Sequence, residues 1–103
     1  MPVQLTEPFG LQGDELELDQ AEAIKTQGIR LIENGAGPFR VDLAELRRAN
    51  SVTVAVLMAW YRHARLHEKS IVFVNLSQDL LNIIEFSGLR RILIGERSEE
   101  HPQ

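Results

Sequence analysis

The chain has no cysteine. That excludes disulfides, thiol nucleophiles, iron–sulfur clusters and every zinc site built on thiolate. Three histidines and fifteen acidic residues are what remains for metal ligation. Aromatic residues are scarce at 6%, with a single tryptophan and a single tyrosine. No apolar run approaches the ~20 residues needed to cross a bilayer. A basic surplus is also missing: 11 Lys and Arg stand against 15 Asp and Glu, for a net charge of −4. Nucleic acid is therefore not the expected partner, because phosphate contacts draw on such a surplus. The opening segment MPVQLTEPFG has neither the basic region nor the apolar region of a signal peptide, so a cytoplasmic domain is expected.

What is there suffices for one domain. The chain has 103 residues, 44% of them hydrophobic, and a domain of that size buries about two-thirds of its unfolded surface. The reading places the domain at residues 1–95 and a disordered polar tail at 96–103. Charge divides unevenly along the chain. Up to residue 46 there are nine acids (Glu7, Asp14, Glu15, Glu17, Asp19, Glu22, Glu33, Asp42, Glu45) and three bases (Lys25, Arg30, Arg40). From residue 47 to 97 there are eight bases and four acids. Either the halves neutralise each other on packing, or Arg47, Arg48, Arg62, Arg65, Arg90 and Arg91 form a basic patch for an acidic partner surface.

Periodicity gives the element order. Val3-Gln4-Leu5 and Phe9-Gly10-Leu11 alternate as half-buried strands around the turn Glu7-Pro8. Asp19 with Glu22 three residues on reads as a capping box opening a helix, along which Ala21, Ile24, Gly28, Leu31 and Ile32 recur. Gly28 costs about 1 kcal/mol in a helix interior and so marks a close approach to a neighbour. Phe39 to Leu43 is a short strand, Ala44 to Ala49 a loop, and Asn50-Ser51 an N-cap pair opening a long helix to about His67. Ser70 to Asn75 reads as a central strand. Ser77 caps a third helix ending near Gly88, and Ile92-Leu93-Ile94 as a last short strand. The expected class is α/β, a mixed sheet with helices packed mainly on one face.

Three segments carry a resemblance to a known family. Phe39-Arg40-Val41-Asp42-Leu43 is similar to a strand ending in Val-Asp-Leu. Asn50-Ser51-Val52-Thr53 and the apolar run to Met58 are similar to an Asp-Ser/Thr-x-Gly turn and its helix. Ile84-Glu85-Phe86-Ser87-Gly88-Leu89 is similar to a leucine-rich helix ending in Gly-Leu. In this order and at these spacings, over about residues 9–94, the chain resembles the STAS domain family. That is the fold shared by bacterial anti-sigma factor antagonists and the cytoplasmic domains of sulfate transporters. Gly13 to Gln20, GDELELDQ, is further similar to the opening of the small single-domain STAS subunits of phospholipid-transport ABC systems in Gram-negative envelopes. The resemblance implies a non-enzymatic subunit with no cofactor. It would be cytoplasmic, peripheral to the inner membrane, and would bind and stabilise or regulate the transporter's ATPase. The alternative it implies is an anti-sigma factor antagonist whose kinase phosphorylates Ser51. Against that switch, Asn50 stands where the family motif has an acid, and Val52 and Thr53 where it has glycine.

The candidate partner-binding residues are Arg47, Arg48, Asn50, Ser51, Thr53, Val56, Trp60 and His63. Ser51, in the first turn of the long helix, meets unpaired N–H groups and a positive dipole end. Simple capping, a partner contact and a regulatory phosphate all remain open for it. Val54, Leu57, Met58, Tyr61 and Ala64 share one helix face and are expected on the sheet. Val52, Thr53, Val56, Ala59, Trp60 and His63 are left for solvent or a neighbouring helix. Trp60 is either an exposed binding hot spot or packed against the first helix opposite Gly28. His63 and His67 lie four apart on one helix. They lack the glutamate of a metalloprotease helix and sit among arginines, so no metal is expected there. No phosphate-binding glycine loop or nucleophile triad appears.

Overall fold

A computed structural model describes residues 1–95 of the chain. The tail expected at 96–103 lies outside the described residues. Eight elements follow in order: β1 (Gln4–Thr6), β2 (Gly10–Glu15), α1 (Leu18–Asn34), β3 (Phe39–Arg48), α2 (Ser51–Leu66), β4 (Ile71–Val74), α3 (Gln78–Phe86) and α4 (Arg90–Leu93). The sheet has the order β1-β2-β3-β4. The first pair is antiparallel, and β2–β3 and β3–β4 are parallel. Parallel neighbours need a crossover, which α1 and α2 supply. Both crossovers step the same way along the sheet, and their common hand puts α1 and α2 side by side on one face.

That face is apolar. Leu11, Val41, Leu43, Leu46 and Phe73 point into the core, where they meet Ile24 and Ile32 of α1, Val54, Leu57 and Ala64 of α2, and Leu80 and Ile84 of α3. The opposite face of the sheet carries Gln12, Asp14, Arg40, Asp42, Glu45 and Arg47, all exposed or half-buried. One polar and one covered face is the mixed-sheet arrangement expected from the alternation.

Four expectations are corrected. Ser70 to Asn75, read as a central strand, holds β4 at the edge of the sheet: among the described residues it pairs with β3 alone, no strand follows to cover its other side, and Val72 is exposed. The first helix opens two residues earlier than Asp19: Glu17 is the N-cap, and the Gln20 side chain accepts its backbone N–H at 3.3 Å. The segment read as a loop from Ala44 is strand, because β3 runs on to Arg48. Between Gly10 and Gln12 the register slips so that Gly10 faces Asp42 and Gln12 faces Glu45. The extra residue in β3 is a bulge. It shifts the inward positions from Val41 and Leu43 to Leu46, which breaks the two-residue period that a sequence reading follows. The Asp42 carboxylate holds the bulge by accepting the Ala44 N–H and the Asn75 side-chain amide, each at 3.0 Å. These two bonds, Asn75 first, keep its pKa below the usual value. Finally, Ile92 and Leu93, read as strand, belong to α4. Gly88, at φ +74°, ends α3, and Leu89 N–H bonds Ile84 O at 3.0 Å. The chain then turns into one more helical turn, which buries Leu93.

At Gly28 the first helix closely approaches the second. Trp60 is 0% exposed and its indole Nε1–H donates to the Lys25 carbonyl at 3.0 Å. Its ring lies edge-on to Phe9, with centroids 5.1 Å apart. A Cβ on Gly28 would come within 2.2 Å of the indole, so only glycine leaves room. Gly28→Ala is therefore expected to destabilise the domain, although alanine gains about 1 kcal/mol of helix propensity. Overpacking of this kind costs about 1–3 kcal/mol and occasionally more. Urea denaturation measures the balance, and a variant as stable as the parent would contradict this packing.

Candidate functional site

At the N-terminal end of α2, Asn50 uses all its hydrogen-bonding capacity. Its Oδ1 accepts from the Thr53 N–H at 2.9 Å and from the Thr53 hydroxyl at 3.2 Å. Its Nδ2 donates to Glu15 Oε2 at 2.8 Å and to the Leu16 carbonyl at 3.0 Å. The Asn50 N–H in turn donates to Thr53 Oγ1 at 3.3 Å, closing a capping box. One side chain thus caps α2 and pins that cap to the end of β2. An aspartate in its place would turn two donors into an acceptor facing a carboxylate and a carbonyl. The departure from the acidic motif is therefore matched by the acid at Glu15.

Next to this cap, Ser51 is exposed and opens onto a groove of about 450 Å³ between α1 and α2. Val52, Ala55 and Ala59 of α2 and Leu18 and Ala21 of α1 line it, with Arg62, Lys25 and Glu22 contributing charge. Glu22 and Lys25 pair at 3.2 Å. Leu18 is 78% exposed, an unusual state for a leucine in the first turn of a helix. A second groove, of about 470 Å³, lies beside Pro8, Leu31 and Phe39, away from Ser51.

The structure redistributes the candidate residues. Ser51 stands at the surface and Asn50 beside it is half-buried. Thr53, Val56 and Trp60 are buried, which corrects their placing among the partner-binding residues; of the two alternatives for Trp60, the structure has the one packed against α1 at Gly28. Thr53 is consumed in the cap, Val56 forms the floor of the groove, and Trp60 is locked on Gly28. Arg47 points to the open face of the sheet, where it lies 3.4 Å from Asp14. The Asp14 carboxyl is held below its usual pKa, first by a hydrogen bond from the N-terminal ammonium and its charge, then by Arg47 and Arg48. Arg48 is exposed at the end of β3. Arg65 donates to the Tyr61 hydroxyl at 2.9 Å, and Arg90 pairs with Glu85. These bases are spread over several surfaces rather than gathered into one patch. Half-buried His63 turns from the groove toward Glu33, 3.0 Å away.

Leu18, Ala21 and Ala55 were not legible as site residues. The available signal was an apolar residue at position 18 inside the acidic run GDELELDQ. The cap itself yields a test. Asn50→Asp is expected to lower stability at neutral pH by about 1–3 kcal/mol, the cost of an unsatisfied, poorly solvated polar group. Equal urea midpoints for variant and parent would show that Glu15 places no constraint on position 50.

The geometry agrees with comparisons to known proteins. A sequence profile described as "Mlab, STAS domain" matches residues 11–95. The chain superposes on the anti-sigma factor antagonist SpoIIAA in its unphosphorylated form with a TM-score of 0.67 and 18% identity, over 98% of this chain and 99% of that one. A Thermotoga maritima protein described as a candidate anti-sigma factor antagonist gives a TM-score of 0.69 at 15% identity, over 96% of this chain and 92% of that one. At such identities these structures establish the fold. No curated protein sequence matches the chain. Among the described residues, no helix is long and apolar enough to cross a membrane. STAS domains act in general as binding and regulatory modules, and with its profile match, its sheet order and its capped second helix this chain belongs to the STAS domain family, in the MlaB-like branch.

Proposed function

We propose that the chain is a non-catalytic STAS subunit that binds the cytoplasmic ATPase of a phospholipid-transporting ABC system. Its role would be to hold the ATPase in a competent conformation or assembly state at the inner membrane. The observation that carries this reading is the match to the MlaB-type STAS profile over residues 11–95. The α1–α2 groove supports it with a surface of suitable character. Leu18, Val52, Ala55 and Ala59 offer apolar area next to the Ser51 hydroxyl, flanked by Arg62 and Lys25. An apolar centre with a polar rim is the usual anatomy of a protein interface.

Affinity purification from the native cell tests the partner. An ABC ATPase is expected to co-purify with the parent chain and to be lost from Leu18→Glu and Ala55→Arg variants that keep the parent's unfolding midpoint. Absence of any ABC ATPase from the parent's eluate would defeat the proposal. Full retention by both variants would move the interface away from the groove.

A second reading is favoured by one observation, the exposure of Ser51 at the start of α2, where a phosphate would meet the positive end of the helix dipole. On that reading the chain is an anti-sigma factor antagonist switched by a kinase. The Glu15 carboxylate bound to Asn50 adds like charge near such a phosphate and weighs against it. Incubation with the cognate kinase and mass spectrometry separates the two readings. A switch requires stoichiometric phosphate on Ser51, and the ATPase-subunit reading expects none.

A further inference from the structure

The last turns of α1 and α2 come together at the end of the helix pair remote from Leu18 and Ser51. Glu33 belongs to the last turn of α1, His63 to the last turn of α2, and His67 is the α2 C-cap. Their ligand atoms all lie within 4.8 Å of one another. His63 Nε2 and Glu33 Oε2 are 3.0 Å apart, and the rings of His63 and His67 have centroids 4.7 Å apart. We propose that Glu33, His63 and His67 form a binding site for a divalent late-transition-metal cation such as Zn²⁺.

Ligands at about 2.0–2.1 Å from a tetrahedral zinc stand roughly 3.3 Å from one another. The His63–Glu33 pair already has nearly that separation. His67 is exposed at the helix end, so its ring closes the remaining distance by side-chain rotation. Two imidazoles and one carboxylate leave a fourth position for water. This donor set suits Zn²⁺, Ni²⁺ and Cu²⁺ better than Mg²⁺ or Ca²⁺, which prefer oxygen ligands throughout.

The electrostatics are permissive. Parallel α1 and α2 both end here, so the negative ends of two helix dipoles face the site. Of the two arginines that from sequence alone stand against a cation, Arg62 lines the α1–α2 groove and Arg65 is drawn to Tyr61: it donates to the hydroxyl at 2.9 Å and its guanidinium lies 5.8 Å from the ring centroid. Lys69 is the nearby ammonium. Its Nζ donates to the Ile32 and Glu33 carbonyls at 2.7 and 3.1 Å, and so caps the end of α1 through the backbone, leaving the Glu33 carboxylate to His63. A bound ion would join the C-terminal ends of α1 and α2, complementing the Trp60 contact at their middle. This inference is independent of the partner assigned above, since it uses a different end of the helix pair.

The test is Zn²⁺ titration into the full chain after chelator treatment, by calorimetry and thermal unfolding at about pH 7.5. One ion per chain is expected, with a rise in unfolding midpoint that a chelator reverses. His67→Ala removes an exposed ligand and Glu33→Gln a carboxylate. Each is expected to weaken Zn²⁺ binding by about tenfold or more while the metal-free protein stays folded by circular dichroism. His101→Ala, outside the described residues, is expected to bind like the parent. Absence of saturable binding, or parent-like binding by His67→Ala and Glu33→Gln, would overturn the assignment. So would loss of binding in His101→Ala.

Discussion

The indole of Trp60 seated on the bare backbone of Gly28 fixes the relation between α1 and α2, and the surfaces of interest follow from that relation. Without a Cβ at position 28 the helices approach closely enough for the indole N–H to reach the Lys25 carbonyl. This sets two consequences at opposite ends of one helix pair. Leu18 and Ser51 flank an open groove at the N-terminal end, and Glu33 meets His63 at the C-terminal end. The single tryptophan acts as a spacer and an anchor inside the domain. On the proposed function, its contribution to partner binding would be the shape it imposes on the exposed strip beside it.

The long helix shows why apolar residues on three sides need not imply an exposed binding face. Val54, Leu57 and Ala64 serve the core over the sheet, while Thr53 is buried in the Asn50 cap, Val56 under the α1–α2 groove and Trp60 against α1. What remains is a narrow strip of Ser51, Val52, Ala55, Ala59 and Arg62, completed by Leu18 and Ala21 from α1. Small residues dominate that strip, so its floor lies low and a partner side chain has room to enter. Asn50 holds the strip's upper end in place through β2. This side chain keeps the cap geometry of the STAS helix while answering an acid that the sequence supplies at Glu15.

Much of the architecture was legible from local chemistry. The caps at Asn50 and Ser77, the stop at Gly88, the strand through Phe73 (though not its edge position) and the close approach at Gly28 each rest on a residue whose conformational or packing preference is strong. The motif order also led to the family that the profile match supports. What was not legible depended on contacts across the chain. The bulge opposite Gly10 and Gln12 re-phases β3, so Ala44 to Arg48 read as loop. The run Ile92 to Ile94 is too short for periodicity to distinguish strand from helix, and packing beside α2 and α3 decided it. In the site, Thr53 and Val56 were misplaced because three apolar stripes on one helix compete for two neighbours. Glu33 escaped notice because thirty positions separate it from His63, and only the parallel packing of α1 on α2 joins them.

The central claim is that the chain's function lies in the α1–α2 face it lends to an ATPase, rather than in the polar face of its sheet. Site-specific photo-crosslinking tests this directly, with the reactive side chain placed at Ala55 in the groove or at Glu45 on the open sheet face. In cells that also contain the transporter, a crosslink to the ATPase is expected from position 55 and none from position 45. The reverse pattern, with the ATPase captured from the sheet face and not from the groove, would contradict the account.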